Sequence, residues 1–162
     1  MAKTYIRVDD RLIHGQTIVA WCPTLSINEI IAIDDISASD SMLKNILTMG
    51  VPKEYNANIL TIDEAKEKIK EESNNNRLII VKSIEKLIEI KNVINNTFEI
   101  FLGNMSKRDD TNHQIKEATG IFYLSDKDIE DVNILVKDGF KVIFQQLPNK
   151  EGKKWEEGIK KI

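Results

Sequence analysis

Two carboxylates, a guanidinium, an imidazole and a glycine follow one another near the start of the chain: Asp9, Asp10, Arg11, His14 and Gly15, with Gln16 next. An imidazole ordinarily titrates near pH ~6.5, so at neutral pH most copies keep one nitrogen lone pair free for nucleophilic attack. The first N–H groups of a helix welcome an anion attached to such a ring. Gly15 lacks a Cβ and lets the backbone come close to that anion, and Arg11 can fork onto two anionic oxygens. Asp9 or Asp10 can hydrogen-bond the other ring nitrogen and set its tautomer, or can tie down Arg11. Such a set fits a histidine that takes up a phosphoryl group and passes it on as a covalent intermediate. Other readings stay open at this point. His14 can be a structural loop histidine, and Asp10 with Arg11 can be a loop ion pair worth about 1 kcal/mol or less. Asp9, Asp10 and His14 are also metal-ligand types, but no matching cluster appears elsewhere and no metal is expected.

The elements that must position these residues alternate between short apolar runs and longer amphipathic segments. Thr4–Val8, Glu29–Ile33, Asn58–Thr61, Arg77–Val81, Phe98–Leu102, Ile121–Leu124 and Lys141–Gln145 read as strands. Leu78–Val81 is apolar throughout, which suits a strand covered on both faces. Between them, Ser39–Met49 carries Met42, Ile46 and Met49 along one helical face and stops at Gly50. Asp63–Glu72 opens on a capping Asp, and Ser83–Asn95 on a capping Ser. Ser125 with Asp128 approximates a capping box ahead of a helix that Gly139 can end. Thr17–Trp21 reads as a helix ended by Pro23, and Lys150–Lys161 as a terminal helix resting on Trp155 and Ile159. This alternation predicts an α/β fold, doubly wound, with a mainly parallel sheet and helices on both faces. Ligands of such sheets gather beyond the carboxyl ends of the strands, where the Asp9–Gln16 segment falls. The stretch Gly103–Thr119 is the longest without a clear assignment.

Composition narrows the classes. The chain has 162 residues, 41% hydrophobic, with Lys+Arg 23 against Asp+Glu 26. That is the length of one domain with a core, here residues 1–162, and the charge balance argues against nucleic-acid binding. No apolar run approaches bilayer length, and the N-terminus carries no signal-peptide pattern. The single cysteine, Cys22, suits a small buried side chain. No Gly-rich phosphate loop for a nucleotide is present. A module that senses an anion without turnover remains the alternative from another class.

The run Ile6-Arg7-Val8-Asp9-Asp10-Arg11-Leu12-Ile13-His14-Gly15-Gln16 resembles the phosphorylation-site motif of the IIB components of the mannose/fructose/sorbose family of the bacterial sugar phosphotransferase system. The likeness extends through Trp21, the strand Ile30–Ile33 with Asp35, Ala38 and Asp40, and Pro52. It continues through Leu102-Gly103-Asn104-Met105 to Gln145-Gln146-Leu147-Pro148. The resemblance implies about seven strands with one antiparallel member. It also implies phosphorylation of His14 at Nδ1 by a IIA protein, then transfer to a sugar moved by the membrane components IIC and IID. The protein would lie in the cytoplasm, at the inner face of the membrane through IIC and IID. Within the motif, Arg11 is the implied phosphate partner. Arg7, Asp10, Gly15, Gln16 and Gly103 support or bind the phosphate, although Arg7 can instead be a buried strand arginine that orders the loop. Asn104 stands where a second glycine is usual, which Asn tolerates by entering left-handed geometry. No cofactor is implied, Lys107 and Arg108 can contribute to a docking rim, His113 reads as a solvated loop residue, and a homodimer is possible.

Overall fold

A computed structural model describes residues 2–162. Its centre is β1 (Thr4–Val8), flanked in parallel register by β4 (Arg77–Val81) and β5 (Glu99–Leu102). β2 (Glu29–Ile33), β3 (Asn56–Leu60) and β8 (Lys141–Phe144) complete the parallel set. A two-residue strand, β9 (Lys153–Lys154), pairs antiparallel with β8. The order is β3-β2-β4-β1-β5-β8-β9. Seven strands with one antiparallel member are thus present.

Two assignments differ from expectation. Ile121–Leu124 belongs to β7 (Gly120–Leu124), which pairs with β6 (His113–Glu117) in a separate antiparallel hairpin and is not in the main sheet. The hairpin takes up the end of the unassigned Gly103–Thr119 stretch, from His113 on, and a contiguous antiparallel partner is reached with far less loop closure than a distant sheet edge. The antiparallel member of the sheet comes instead from the segment expected as a terminal helix. After β9 that segment shortens to α7 (Trp155–Gly158) and a 3-10 turn, Ile159–Lys161.

Side chains alternate faces along a strand, and the sheet is buried on both. Ile6 and Val8 join Ile79, Val81, Ile100 and Leu102 on one face. There they meet α4 (Ile62–Lys70), α5 (Ile84–Glu89) and α6 (Asp126–Lys137) through Ala65, Leu87, Val132 and Leu135. Tyr5, Leu78, Ile80 and Phe101 lie on the other, against Leu12, Ile13, Trp21 and Cys22. The expected caps at Ser83 and Ser125 form. α4 is capped two residues earlier than expected, by Thr61 in place of Asp63, because Thr61 and Glu64 make a reciprocal capping box. Asp34 and Asp40 cap α2 (Asp35–Ala38) and α3 (Ser41–Thr48), so the Ser39–Met49 segment begins at a tighter junction than expected.

Candidate functional site

The loop after β1 is held from both sides at the carboxyl end of the sheet. Asp9 N–H donates to Val81 O at the end of β4, Gly103 N–H to Val8 O, and Asp10 N–H to Asn104 O beyond β5. Leu12 N–H closes a tight turn onto Asp9 O at 3.0 Å. Leu12 itself adopts φ 55°, uncommon for a residue with a Cβ, while its side chain is buried. That combination turns the chain and delivers His14 to the start of a helical segment. The segment comprises a π-helical turn, Thr17–Trp21, continuing as α1 (Cys22–Thr24). Pro23 lies inside this segment and does not end it; the wider turn runs from Cys22 N–H to Thr17 O just before the proline.

Asp9 is the hub. Its side chain is fully buried, and Oδ2 lies 2.8 Å from His14 Nε2 and accepts from Arg7 Nε at 3.2 Å. Oδ1 accepts from the Arg11 N–H at 3.0 Å and from Arg11 Nε at 3.4 Å. Burial pushes the Asp9 carboxyl up. The His14 hydrogen bond, the Arg7 charge and the Arg11 N–H together outweigh it, and the carboxyl sits below the ordinary aspartate range. An ionised carboxylate accepts only, so His14 Nε2 carries the proton and Nδ1 keeps the lone pair. Thr17 Oγ1 at 3.1 Å from Nε2 further fixes the ring. The His14 side chain is 16% exposed, enough to be reached from one side.

Arg7 lies in β1, two residues before Asp9, and is buried. Its guanidinium donates to Gln145 O and Gln146 O at 3.2 and 3.0 Å and lies 5.0 Å from the Trp21 ring centroid. Burial lowers its pKa, and Asp9 acts in the opposite direction. With its donors engaged inside the protein, Arg7 supports the loop. Gly103 packs against it, leaving no room for a side chain. Arg11, by contrast, is 44% exposed, with NH2 reaching Gln16 Oε1 at 3.4 Å. Gly15 and Gln16 are exposed beside the ring, and a Cβ on Gly15 would meet nothing within 4 Å.

Several residues sit differently from the alternatives left open by the sequence. Asp10 does not pair with Arg11; it accepts from Asn104 Nδ2 at 2.5 Å and from Ser106 N–H at 2.9 Å. It therefore stays outside the Asp9–His14 cluster, and Asp9, Asp10 and His14 do not converge as three ligands. Asn104 keeps a negative φ, so its amide, and not a left-handed backbone, is what the turn uses. Arg108 is engaged by Asp128 and Asp110. His113 is half-buried, with Nε2 2.6 Å from Asp126 Oδ1, and is not a free loop residue. Asp9 as hub was foreshadowed by its i, i+2 relation to Arg7. Thr17 and the Gln145 and Gln146 carbonyls had no signal in residue type.

The chain matches the family described as PTS system sorbose subfamily IIB component over residues 3–162, and it belongs to that family. Among its relatives is the N-acetylgalactosamine-specific phosphotransferase enzyme IIB component 1 of Escherichia coli K12. That protein is 24% identical over 149 residues, covering 88% of this chain and 89% of the relative. The mannose-specific EIIAB component of the same organism is 36% identical over 56 residues, 35% of this chain and 17% of that one. Among solved structures, the IIBSor domain of the sorbose permease from Klebsiella pneumoniae superimposes with a TM-score of 0.84 at 20% identity. The match covers 99% of this chain and 98% of that one, a likeness of fold. The protein is accordingly a phosphocarrier component of a sugar transport system and, in general terms, a phosphotransferase. The anion-sensing alternative is not favoured. Among the described residues no helix is long and apolar enough to cross a membrane.

Proposed function

We propose that His14 is the phosphoryl carrier of this chain, that Nδ1 is the atom phosphorylated, and that the reaction is that of a protein-Nπ-phosphohistidine–sugar phosphotransferase. The observation that carries this reading is the 2.8 Å contact between Nε2 and the buried Asp9 carboxylate, which leaves Nδ1 unprotonated. The donor is a phosphohistidine of a IIA protein. The Nδ1 lone pair forms the new N–P bond as the donor's N–P bond breaks, and its electron pair returns to the donor nitrogen. No proton needs to move in this step. The His14 ring becomes cationic, and Asp9 across Nε2–H stabilises that charge. Arg11 and the backbone N–H groups at Gly15 and Gln16 hold the charge of the metaphosphate-like group in transit. In the second transfer a sugar hydroxyl attacks phosphorus, the N–P electrons return to Nδ1, and the hydroxyl proton is released.

Arg7 and Gly103 act from behind, by fixing Asp9, and Asp10 acts by fixing the neighbouring loop through Asn104 and Ser106. The acceptor sugar is held by membrane components IIC and IID, so the protein works at the cytoplasmic face as one domain, residues 1–162, meeting its partners there. The test is labelling by a phosphorylated IIA protein. Wild type should yield an acid-labile phosphohistidine with phosphorus on Nδ1, and His14→Ala should yield none while keeping its circular dichroism. Label retained in His14→Ala, or phosphorus found on Nε2, would overturn the assignment.

A further inference from the structure

Thr24 and Thr48 donate their hydroxyls to the carbonyls four residues back, Ala20 O and Lys44 O, at 2.8 Å each. That is the usual habit of a threonine inside a helical segment. Thr17 behaves differently. It is fully buried, and its Oγ1 faces His14 Nε2 at 3.1 Å. The π-turn buries two of its residues, Thr17 and Trp21. Thr17 meets the ring, while Trp21 Nε1 donates to Gln146 O at 2.8 Å, the carbonyl that also accepts from Arg7. One wide turn therefore reaches both the ring and the arginine that flank Asp9, a placement of the kind for which π-turns recur at functional sites. Asp9 Oδ2, for its part, is divided between Nε2 at 2.8 Å and Arg7 Nε at 3.2 Å.

We propose that Thr17 is a positioning residue that favours the phosphorylated state of His14: its Oγ1 is a second acceptor for the Nε2–H, beside Asp9 Oδ2, in a three-centre hydrogen bond. The inference rests on the reading of His14 given above. When the Nδ1–P bond forms and the donor's N–P bond breaks, the donor nitrogen keeps the electron pair and no proton leaves Nε2. The ring gains a positive charge, and its Nε2–H bonds to oxygen acceptors strengthen accordingly. Asp9 Oδ2 already serves Arg7, so a further oxygen on the same N–H adds to the hold on that charge. Sealed from water, even a neutral hydroxyl counts for more than it would at the surface. The unphosphorylated ring is neutral and gains less from the same contact. Thr17 therefore acts on the equilibrium between donor and carrier, whereas a side chain that only filled space would stabilise both states of His14 alike.

The test is the equilibrium distribution of phosphoryl groups between a IIA protein and the full chain, read on phosphate-affinity gels. Thr17→Val keeps the shape of the side chain and removes the hydroxyl. It should shift the distribution toward IIA by about fivefold, the worth of one modest hydrogen bond. Thr17→Ser restores the hydroxyl and should return the distribution to within about twofold of wild type. Thr24→Val, which loses a hydroxyl bonded only to backbone, should leave it unchanged. If Thr17→Val loses its native circular dichroism, Thr17→Ala against Thr17→Ser carries the same comparison. A wild-type distribution in the folded Thr17→Val chain would overturn the proposal, even if that chain were less stable in urea, because Thr17 would then serve packing alone. A shift that Thr17→Ser fails to reverse would overturn it as well. Absence of label on His14 in the wild-type chain would instead overturn the carrier reading, before any variant is compared.

Discussion

Gly103 lies so close to Arg7 that a Cβ added there would stand 2.5 Å from the guanidinium Cζ. The strand after which Gly103 sits, β5, is the direct neighbour of the strand that carries Arg7. The glycine therefore makes room for a buried cation that holds Asp9, and Asp9 holds His14. Gly103→Ala should force the guanidinium from its carbonyl acceptors and destabilise the protein by about 1–3 kcal/mol, as overpacking does. Urea denaturation would measure this; an unchanged midpoint would show that the guanidinium can move aside freely.

Asp9→Asn removes the charge that Arg7 faces in a buried setting, and the loss should be about 3 kcal/mol at neutral pH. The pH dependence has a definite sign. The folded carboxyl titrates below its unfolded value, so its contribution is present above pH ~4 and is lost as the pH falls through the folded value. Wild type should lose stability on acidification in that window, and Asp9→Asn should show a flatter acid limb in thermal melts. Parallel curves for the two proteins would contradict the assignment of that linkage to Asp9.

Arg11 is half exposed and its contacts to Asp9 and Gln16 are long, at 3.4 Å each. Arg11→Ala should shift stability by less than about 1 kcal/mol. Its phosphoryl transfer should nevertheless slow by about 10²-fold, the scale seen when one preorganised donor to a developing anion is removed. Rapid-quench kinetics with phosphorylated IIA would read the difference, and wild-type rates would reject a charge-stabilising role.

Gly15 has neither a positive φ nor a neighbour that a Cβ would strike. Gly15→Ala should be neutral or stabilising by about 0.5 kcal/mol, through lower entropy of the unfolded chain. Transfer should drop nonetheless, because the added methyl stands where the phosphoryl group and the partner approach. Full activity would mean the open space is not used.

Cys22 is buried, and burial pushes its thiol up to about 12. Alkylation by iodoacetamide at pH 8 needs the thiolate, so it should be slow in the folded protein and fast in urea, as followed by mass spectrometry. Rapid modification without urea would show that the packing around Trp21 and Cys22 opens readily.

Much of this molecule was legible from residue order, because local periodicity and capping depend on neighbours. The all-apolar Leu78–Val81 run became a central strand, and the Ser83 and Ser125 caps formed where their side chains reach their own helix starts. The chemistry of the Asp9–Gln16 loop was visible too, and the two-residue spacing of Arg7 and Asp9 lets a side chain near the end of β1 meet the first residue of the loop. The apolar stripe of α3 was equally visible, but amphipathic periodicity says which residues share a face and not whether that face is covered.

Which carboxylate would take His14 was decided only by folding. Asp10 was drawn off by Asn104, 94 positions later, and Arg7 was captured by the Gln145 and Gln146 carbonyls at separations of 138 and 139. The same holds for the hairpin that left the sheet and the two-residue strand that took its edge. Sequence alone determined the parts and their local geometry, whereas the assignment of each buried charge to its partner required the close packing of strands distant in the chain. A buried charge must find a partner there or forfeit its solvation.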